Sequence, residues 1–375
     1  MSTTFRLIHA LDELDAPSWD ALAGTQPFVR HAFLNALEQS RCVAADTGWI
    51  PSHLLMHRDG RLRGAAPLYL KSHSRGEYIF DYAWADAYHR HGLDYYPKLL
   101  CAVPFTPVPG PRLLAATRED KAALAKQIAF LARSNGLSSA HVLLPCDEDE
   151  AVLREAGFMI RENVQFHWTN KGYADFDAFL AALSQPKRKK LKQDRLKVSR
   201  QGVDFAWLRG QAITHNDLAF FYDCYVQTYF EHANAPYLSL DFFERLLARM
   251  GDAMLLVLAR QGGEPIAAAL NVIGDGRMYG RYWGSLRHIP GLHFEACYMQ
   301  GIEFCIANGL SIFEGGAQGE HKLARGMLPI ATSSAHSIVD PRYAHAIADF
   351  LDRETPAVRS YIRELQAHTP FKTQG

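Results

Sequence analysis

Several things are scarce in this sequence. Its six cysteines, Cys42, Cys101, Cys146, Cys224, Cys297 and Cys305, form no C-x-x-C pair, so a structural zinc site of that type is excluded, and a chain this long needs no disulfide framework. No stretch approaches the roughly 18 uncharged apolar residues of a membrane-spanning helix. The first residues carry His9, Asp12 and Glu13 where a signal peptide requires an unbroken apolar core, so the expected compartment is cytoplasmic. Net charge is lacking as well. Forty Lys and Arg balance 40 Asp and Glu, which leaves only local patches to meet a polyanion. Neither a G-x-S-x-G elbow nor a G-x-x-x-x-G-K-[ST] loop occurs, which removes the support for a serine hydrolase of that type or a P-loop nucleotidase.

What is present suffices for two domains: 375 residues, 48% of them hydrophobic. Apolar spacing predicts a helix over 27–40. Strands over 53–56 and 65–70, joined by Arg58-Asp59-Gly60, and a third over 78–82 read as an antiparallel meander. An amphipathic helix over 118–135, closed by Gly136, precedes a buried strand over 141–144. The same order then recurs. A helix over 240–250 places Phe242, Phe243 and Leu246 as Phe33, Leu34 and Leu37 are placed; strands over 254–260 and 266–273, a helix over 294–308 and a strand over 311–313 follow. Asp81-Tyr82-Ala83-Trp84 is echoed by Arg281-Tyr282-Trp283-Gly284. Recurrence in order points to two copies of one α+β fold, over 1–168 and 169–375. Between them runs a helical stretch over 175–202, whose residues 186–200 hold eight basic residues and one acidic. A final helix is expected over 341–365.

Three segments carry candidate chemistry. Residues 314–327, E-G-G-A-Q-G-E-H-K-L-A-R-G-M, begin where a buried strand ends, and ligands gather outside the carboxyl ends of strands in open sheets. Gly315, Gly316 and Gly319 allow backbone to approach a ligand closely or aim amides at an anion. Glu314, Gln318, Glu320, His321, Lys322 and Arg325 add acid, base and electrophile; the plainer reading is a glycine-rich connection with a solvated tip. The second segment, residues 81–98, offers Tyr82, Trp84, Asp86 and Tyr95 for a polar ligand, or else core packing. His89 and His91 have no third ligand at fixed spacing, so no metal centre is expected. The third is the basic run. Lys187, Arg188 and their neighbours suit the phosphates of a transfer RNA, a coenzyme or a lipid head group, or form a solvated helix face; no aromatics interleave them for base stacking.

The glycine loop E-G-G-A-Q-G-E-H-K-L-A-R-G-M-L-P, with Tyr95-Tyr96-Pro97-Lys98-Leu99 and A-V-P-F-T-P-V-P-G-P-R-L-L over 102–114, resembles the FemAB-like proteins. These are N-acyltransferases of the peptidoglycan biosynthesis or recognition type within the GNAT acyltransferase superfamily. The resemblance covers nearly the whole chain. It implies two tandem GNAT-like domains, each a mixed, mostly antiparallel sheet flanked by helices. It also implies an acyl or aminoacyl transfer to a small-molecule or peptide-like amine, with acyl-CoA or aminoacyl-tRNA as donor. Lys322 and Arg325 before Gly326-Met327 resemble the basic run near the reactive centre of the Fem ligases, with Arg325 where a lysine is expected. Residues 187–192 resemble the basic segment opening their second domain. No long helical hairpin of the kind some Fem ligases carry is visible.

On that reading Lys322 and Arg325 stabilise donor phosphate or oxyanion, Glu320 or His321 takes the amine proton, and Gln318, Tyr282 and Trp283 position the acceptor. The coenzyme A pattern [RQ]-x-x-G-x-[GA] occurs at Arg61–Ala66, but inside a hairpin rather than at a helix start. Two alternatives remain. One is a non-catalytic module recognising a glycan, peptide or nucleotide conjugate through the aromatic block. The other is an acetyl-CoA-dependent acetyltransferase.

Overall fold

A computed structural model describes residues 2–79, 81–316 and 319–372. The chain forms two compact units: Met1–Asn163 with Ala331–Ser360, and Val164–Ile330 with Tyr361–Gly375. Residues 331–360, assigned by contiguity to the second domain, pack within the first. The cause is pairing: in strand Leu328–Ile338, Ser334 to Ile338 run antiparallel to strand Ser139–Leu143.

In the first unit, strands Thr3–Ile8, His53–Arg58, Arg61–Ala66 and Leu114–Ala115 form an antiparallel sheet. A second set orders Ser139–Leu143 beside Lys98–Cys101 in parallel, then Leu68–Lys71 and Trp49–Pro51 antiparallel. Helix Arg118–Ser134 is capped where the Thr117 hydroxyl accepts from Asp120 N at 3.2 Å. Its buried stripe of Leu124, Ala125, Ile128 and Ala132 packs against Leu54, Met56, Leu99 and Val142.

The described residues of the strand expected over 78–82 form no strand, and Phe80 lies outside the described residues. Residues Tyr82–Arg90 are helical instead. Trp84 and Tyr88, four apart, share one buried face against Ile347 and Leu351 of helix Pro341–Ala367. The echo between Tyr82-Ala83-Trp84 and Tyr282-Trp283 therefore joins a helix to a strand and is not a structural repeat.

The second unit is a meander of Val203–Arg209, Met254–Gln261, Glu264–Gly274 and Arg277–Ser285. Strand Ile312–Glu314 adds parallel to the last of these and antiparallel to the end of Met159–Thr169. Helix His215–Glu231 starts at a reciprocal cap: Thr214 N donates to Asp217 Oδ2 at 3.0 Å, and Asp217 N to Thr214 Oγ1 at 3.1 Å. It lies so close on the sheet that a Cβ at Gly284 would fall 1.8 Å from the Cys224 carbonyl oxygen. The helical stretch expected over 175–202 is two helices, Phe176–Ala182 and Gln185–Ser199. Leu183 and Ser184 are extended between them, and Pro186 lies in the first turn of the second helix, where its missing N–H is not needed. Among the described residues no helix is long and apolar enough to cross a membrane.

Candidate active site

The parallel pairing of Arg277, Met278 and Tyr279 with Ile312, Phe313 and Glu314 stops there. Beyond it the chain enters Gly280 on one side and Gly315-Gly316 on the other, and a cleft of about 120 Å³ opens between them. Gly316 has φ +83, a conformation that costs glycine nothing and a side-chain-bearing residue strain. Register slips by one residue between Leu270 and Asn271 as they pair with Tyr282 and Gly280, making Arg281 the additional residue of a bulge. The bulge reverses the alternation of faces. Tyr282 stacks edge-on with Tyr225 of helix His215–Glu231, whereas Trp283 turns to His293 on the other face, 5.4 Å between ring centroids.

His293, Cys297 and Tyr298 line the cleft from the helical segment that begins at Leu292. Here Leu292–Phe294 is followed by one π-helical turn, Glu295–Met299, before Gln300–Ala307 resumes α geometry. Such single π turns recur at functional sites, where the added residue re-aims side chains. Asn271, 2% exposed, and Phe313 complete the lining named here.

The charged loop lies behind this cleft. Residues Glu320–Arg325 form a 3₁₀ turn between Gly319 and Gly326. Lys322 is 3% exposed and its Nζ donates to the Gly316 carbonyl at 2.9 Å. Burial, only partly opposed by Cys297, takes its pKa down to about 8. Arg325 stacks on Phe294 at 3.7 Å and donates to the His321 carbonyl at 2.5 Å. His321 is exposed, yet its Nε2 is 3.3 Å from the Tyr298 hydroxyl. Partial burial, then the cations Lys322 and Arg325, lower its pKa. His293 is lowered further, to about 4, by burial and then by His321, Arg325 and Lys322. Both rings are therefore neutral near pH 7, and His321, the more exposed of the two, is the one placed to accept a proton.

Glu314 ends the strand on the other face. It is 3% exposed, its Oε1 accepts from Arg277 at 3.2 Å, and Oε2 is 3.7 Å from His167 Nε2. Burial raises its carboxyl to about 7 against the pull of Arg277. Glu320 turns outward to the Tyr361 hydroxyl. Gln318 lies outside the described residues. Thus Tyr282, Trp283, Gly315 and Gly316 line the cleft directly, while Lys322 holds its glycine wall from behind.

The remaining expected residues lie elsewhere. Tyr82 is exposed, Trp84 and Tyr95 belong to the core of the first unit, and Asp86 pairs with Arg90. Tyr95 donates to Asp81 at 2.6 Å, and Asp81 and Glu77 enclose the fully buried Lys98 ammonium at 2.5 and 2.8 Å. That block is an ion cluster inside a core. Lys187 and Arg188 stand on helix Gln185–Ser199, apart from the cleft lining. Asn271, His293, Cys297 and Tyr298 were not anticipated, and no sequence pattern marks them.

Solved structures resemble this chain in fold. The C-terminal domain of a putative lysylphosphatidylglycerol synthetase from Agrobacterium fabrum superposes with TM-score 0.55 at 10% identity, covering 93% of this chain and 98% of that one. FemX gives 0.55 at 12%, covering 93% and 100%. L-PGS from Bacillus licheniformis gives 0.54 at 11%, covering 90% and 96%. At such identities the likeness is one of fold, a tandem GNAT-like α+β arrangement. No curated protein matches the chain significantly. The family profile described as FemAB-like, peptidoglycan biosynthesis/recognition, matches residues 10–373, and the chain belongs to the FemAB-like family.

Proposed function

We propose that the chain is an N-acyltransferase or aminoacyltransferase that moves its group from an activated donor to an amine, in the cleft of the second unit. One observation carries this reading: the carboxyl end of a parallel strand pair opens between two glycine positions, backed by a buried lysine and bordered by neutral imidazoles. The donor carbonyl enters beside Gly280 and Gly315, where no side chain obstructs it. The acceptor nitrogen attacks, the new C–N bond forms, and the bond to the donor's leaving group breaks. The amine proton passes to the Tyr298 hydroxyl as that hydroxyl gives its own to His321 Nε2. Lys322 acts by position: it fixes the Gly316 carbonyl and keeps a positive charge behind the oxygen that becomes anionic. Trp283 holds the acceptor.

The test is a mass-spectrometric transfer assay with the full chain. Acetyl-CoA, longer acyl-CoAs and aminoacyl-tRNAs serve as donors, and lysine-bearing peptides as acceptors. An aminoacyl donor heads the series because a protein of like fold is named a putative lysylphosphatidylglycerol synthetase. Acyl-amine product from one donor class supports the reading. Tight retention of a ligand without product from any donor replaces it with a binding module.

A further inference from the structure

Helix Gln185–Ser199 rests on the second unit through Leu191 and Val198, 5% and 1% exposed. At 3.6 residues per turn, the opposite direction carries Lys189, Lys192, Leu196, Lys197 and Arg200, all exposed. Lys192 meets Asp177 at 3.1 Å. Lys189, Lys197 and Arg200 have no ion pair among the described residues. Leu196, 47% exposed, stands in the middle of these cations.

Leu196 also borders an open groove of about 760 Å³, together with Phe176, Leu180, Val198, Val203 and Phe205. The groove's acids are already engaged. Arg195 meets Glu295 at 3.0 Å and Glu303 at 2.7 Å, and Gln300 Nε2 donates to Glu295. Asp175 caps helix Phe176–Ala182 by accepting from Ala178 N at 2.7 Å. The groove's wall therefore mixes apolar side chains with engaged ion pairs, and the positive charge stands on the outer face of the helix beside it.

We propose that this surface docks the chain on a bilayer of anionic phospholipid. Lipid phosphates meet Lys189, Lys192, Lys197 and Arg200, while Leu196 enters the apolar zone beneath the head groups. Basic clusters near a negative leaflet gain attraction with each cation, and an interfacial helix adds apolar burial to it. Nucleic acid fits this face less well. Its outward side has no aromatic for stacking, three of its four cations are lysines without the forked geometry of arginine, and a central leucine gives a sugar-phosphate backbone nothing. The docking is peripheral, and it is independent of the transfer reading, since it uses no residue of the cleft.

The experiment is flotation of the full chain with phosphatidylcholine vesicles, with and without phosphatidylglycerol, and with free transfer RNA in a parallel arm. The expected result is flotation only with phosphatidylglycerol, released by high salt. Joint Lys189→Glu and Lys197→Glu should weaken it at least about tenfold, and Leu196→Gln should weaken it at unchanged charge. Lys189→Gln with Lys197→Gln serves if the reversed variant melts early. Equal flotation on neutral vesicles, none on anionic ones, or indifference to these substitutions overturns the proposal. Salt-sensitive capture of transfer RNA without flotation assigns the face to nucleic acid and overturns it equally.

Discussion

The two units carry a parallel strand pair each, and they treat its carboxyl end in opposite ways. In the second, Arg277–Ser285 and Ile312–Glu314 part at glycines and leave a cleft. In the first, Lys98–Cys101 and Ser139–Leu143 are followed by residues 102–113, most of them buried. Gly110 N donates to the Leu144 carbonyl at 3.1 Å and Cys146 N to Gly110 at 2.9 Å, so the gap between strands is bridged by backbone. Arg112, 1% exposed, staples the loop: its guanidinium donates to the carbonyls of Leu143, Pro111 and Val108 at 2.9, 3.0 and 2.6 Å. Asp149 accepts from the backbone N of Arg112 and of Leu113. A fold used twice thus leaves one strand end open and fills the other with its own chain, and the proposal of transfer in the second unit rests on that contrast.

The comparison is broken most severely at the staple. Arg112→Met leaves three buried carbonyls without their donor, and at about 1–3 kcal/mol per unsatisfied group the loss is about 4 kcal/mol in chemical denaturation. Turnover per folded molecule should be unchanged, because the first unit's strand end holds no reacting group.

A smaller effect is expected at Lys322. Lys322→Met should lower turnover about tenfold, as expected for one electrostatic contact made in the transition state. The pH profile sharpens the assignment. With its pKa down to about 8, Lys322 is charged below that pH and neutral above, so wild-type turnover falls as pH rises through about 8. Lys322→Arg should carry that limb to higher pH, and Lys322→Met should abolish it. A limb that stays in both variants belongs to another group.

The smallest effect concerns the buried imidazoles of the first unit. His141 Nδ1 and His336 Nδ1 are 2.7 Å apart and fully buried. Burial holds both well below the usual histidine range. The unfolded chain takes up protons below about pH 6.5 while the folded one does not, so their contribution is complete above that pH and is lost as pH falls. Glu77, raised to about 7, acts in the opposite sense as pH rises from its unfolded value. The difference isolates the histidine: His141→Asn should flatten the acid loss of stability by at most about 1.4 kcal/mol per pH unit, read from denaturation at pH 5, 6 and 7.

Legibility in the sequence followed locality. Helix Leu240–Met250 and the hairpin strands Met254–Gln261 and Glu264–Gly274 were readable because periodicity and Gly-containing turns are encoded in neighbouring residues. Helix Tyr82–Arg90 lies beyond the strand expected over 78–82 and is not anticipated, although Trp84 and Tyr88 stand at helical spacing. The exchange of residues 331–360 into the first unit has no local signal, since strand pairing over nearly two hundred residues depends on the whole sheet. The site shows the same division. Gly315, Gly316 and Lys322 were legible as glycines and charge crowded after an apolar strand. His293 and Tyr298 were not, because a π turn and a register slip, neither visible as pattern, bring them to the cleft.

The most direct measurement is transfer by a chain whose second cleft has been filled as the first one is. A Cβ at Gly280 would sit 3.2 Å from the Phe313 ring, so Gly280→Ala adds a methyl to the cleft wall if that ring gives by a few tenths of an ångström. In a variant whose circular dichroism and melting remain close to wild type, turnover should fall by about a hundredfold or more, the scale of a misplaced reacting group. Wild-type turnover in that folded, obstructed chain contradicts the assignment of transfer to this cleft.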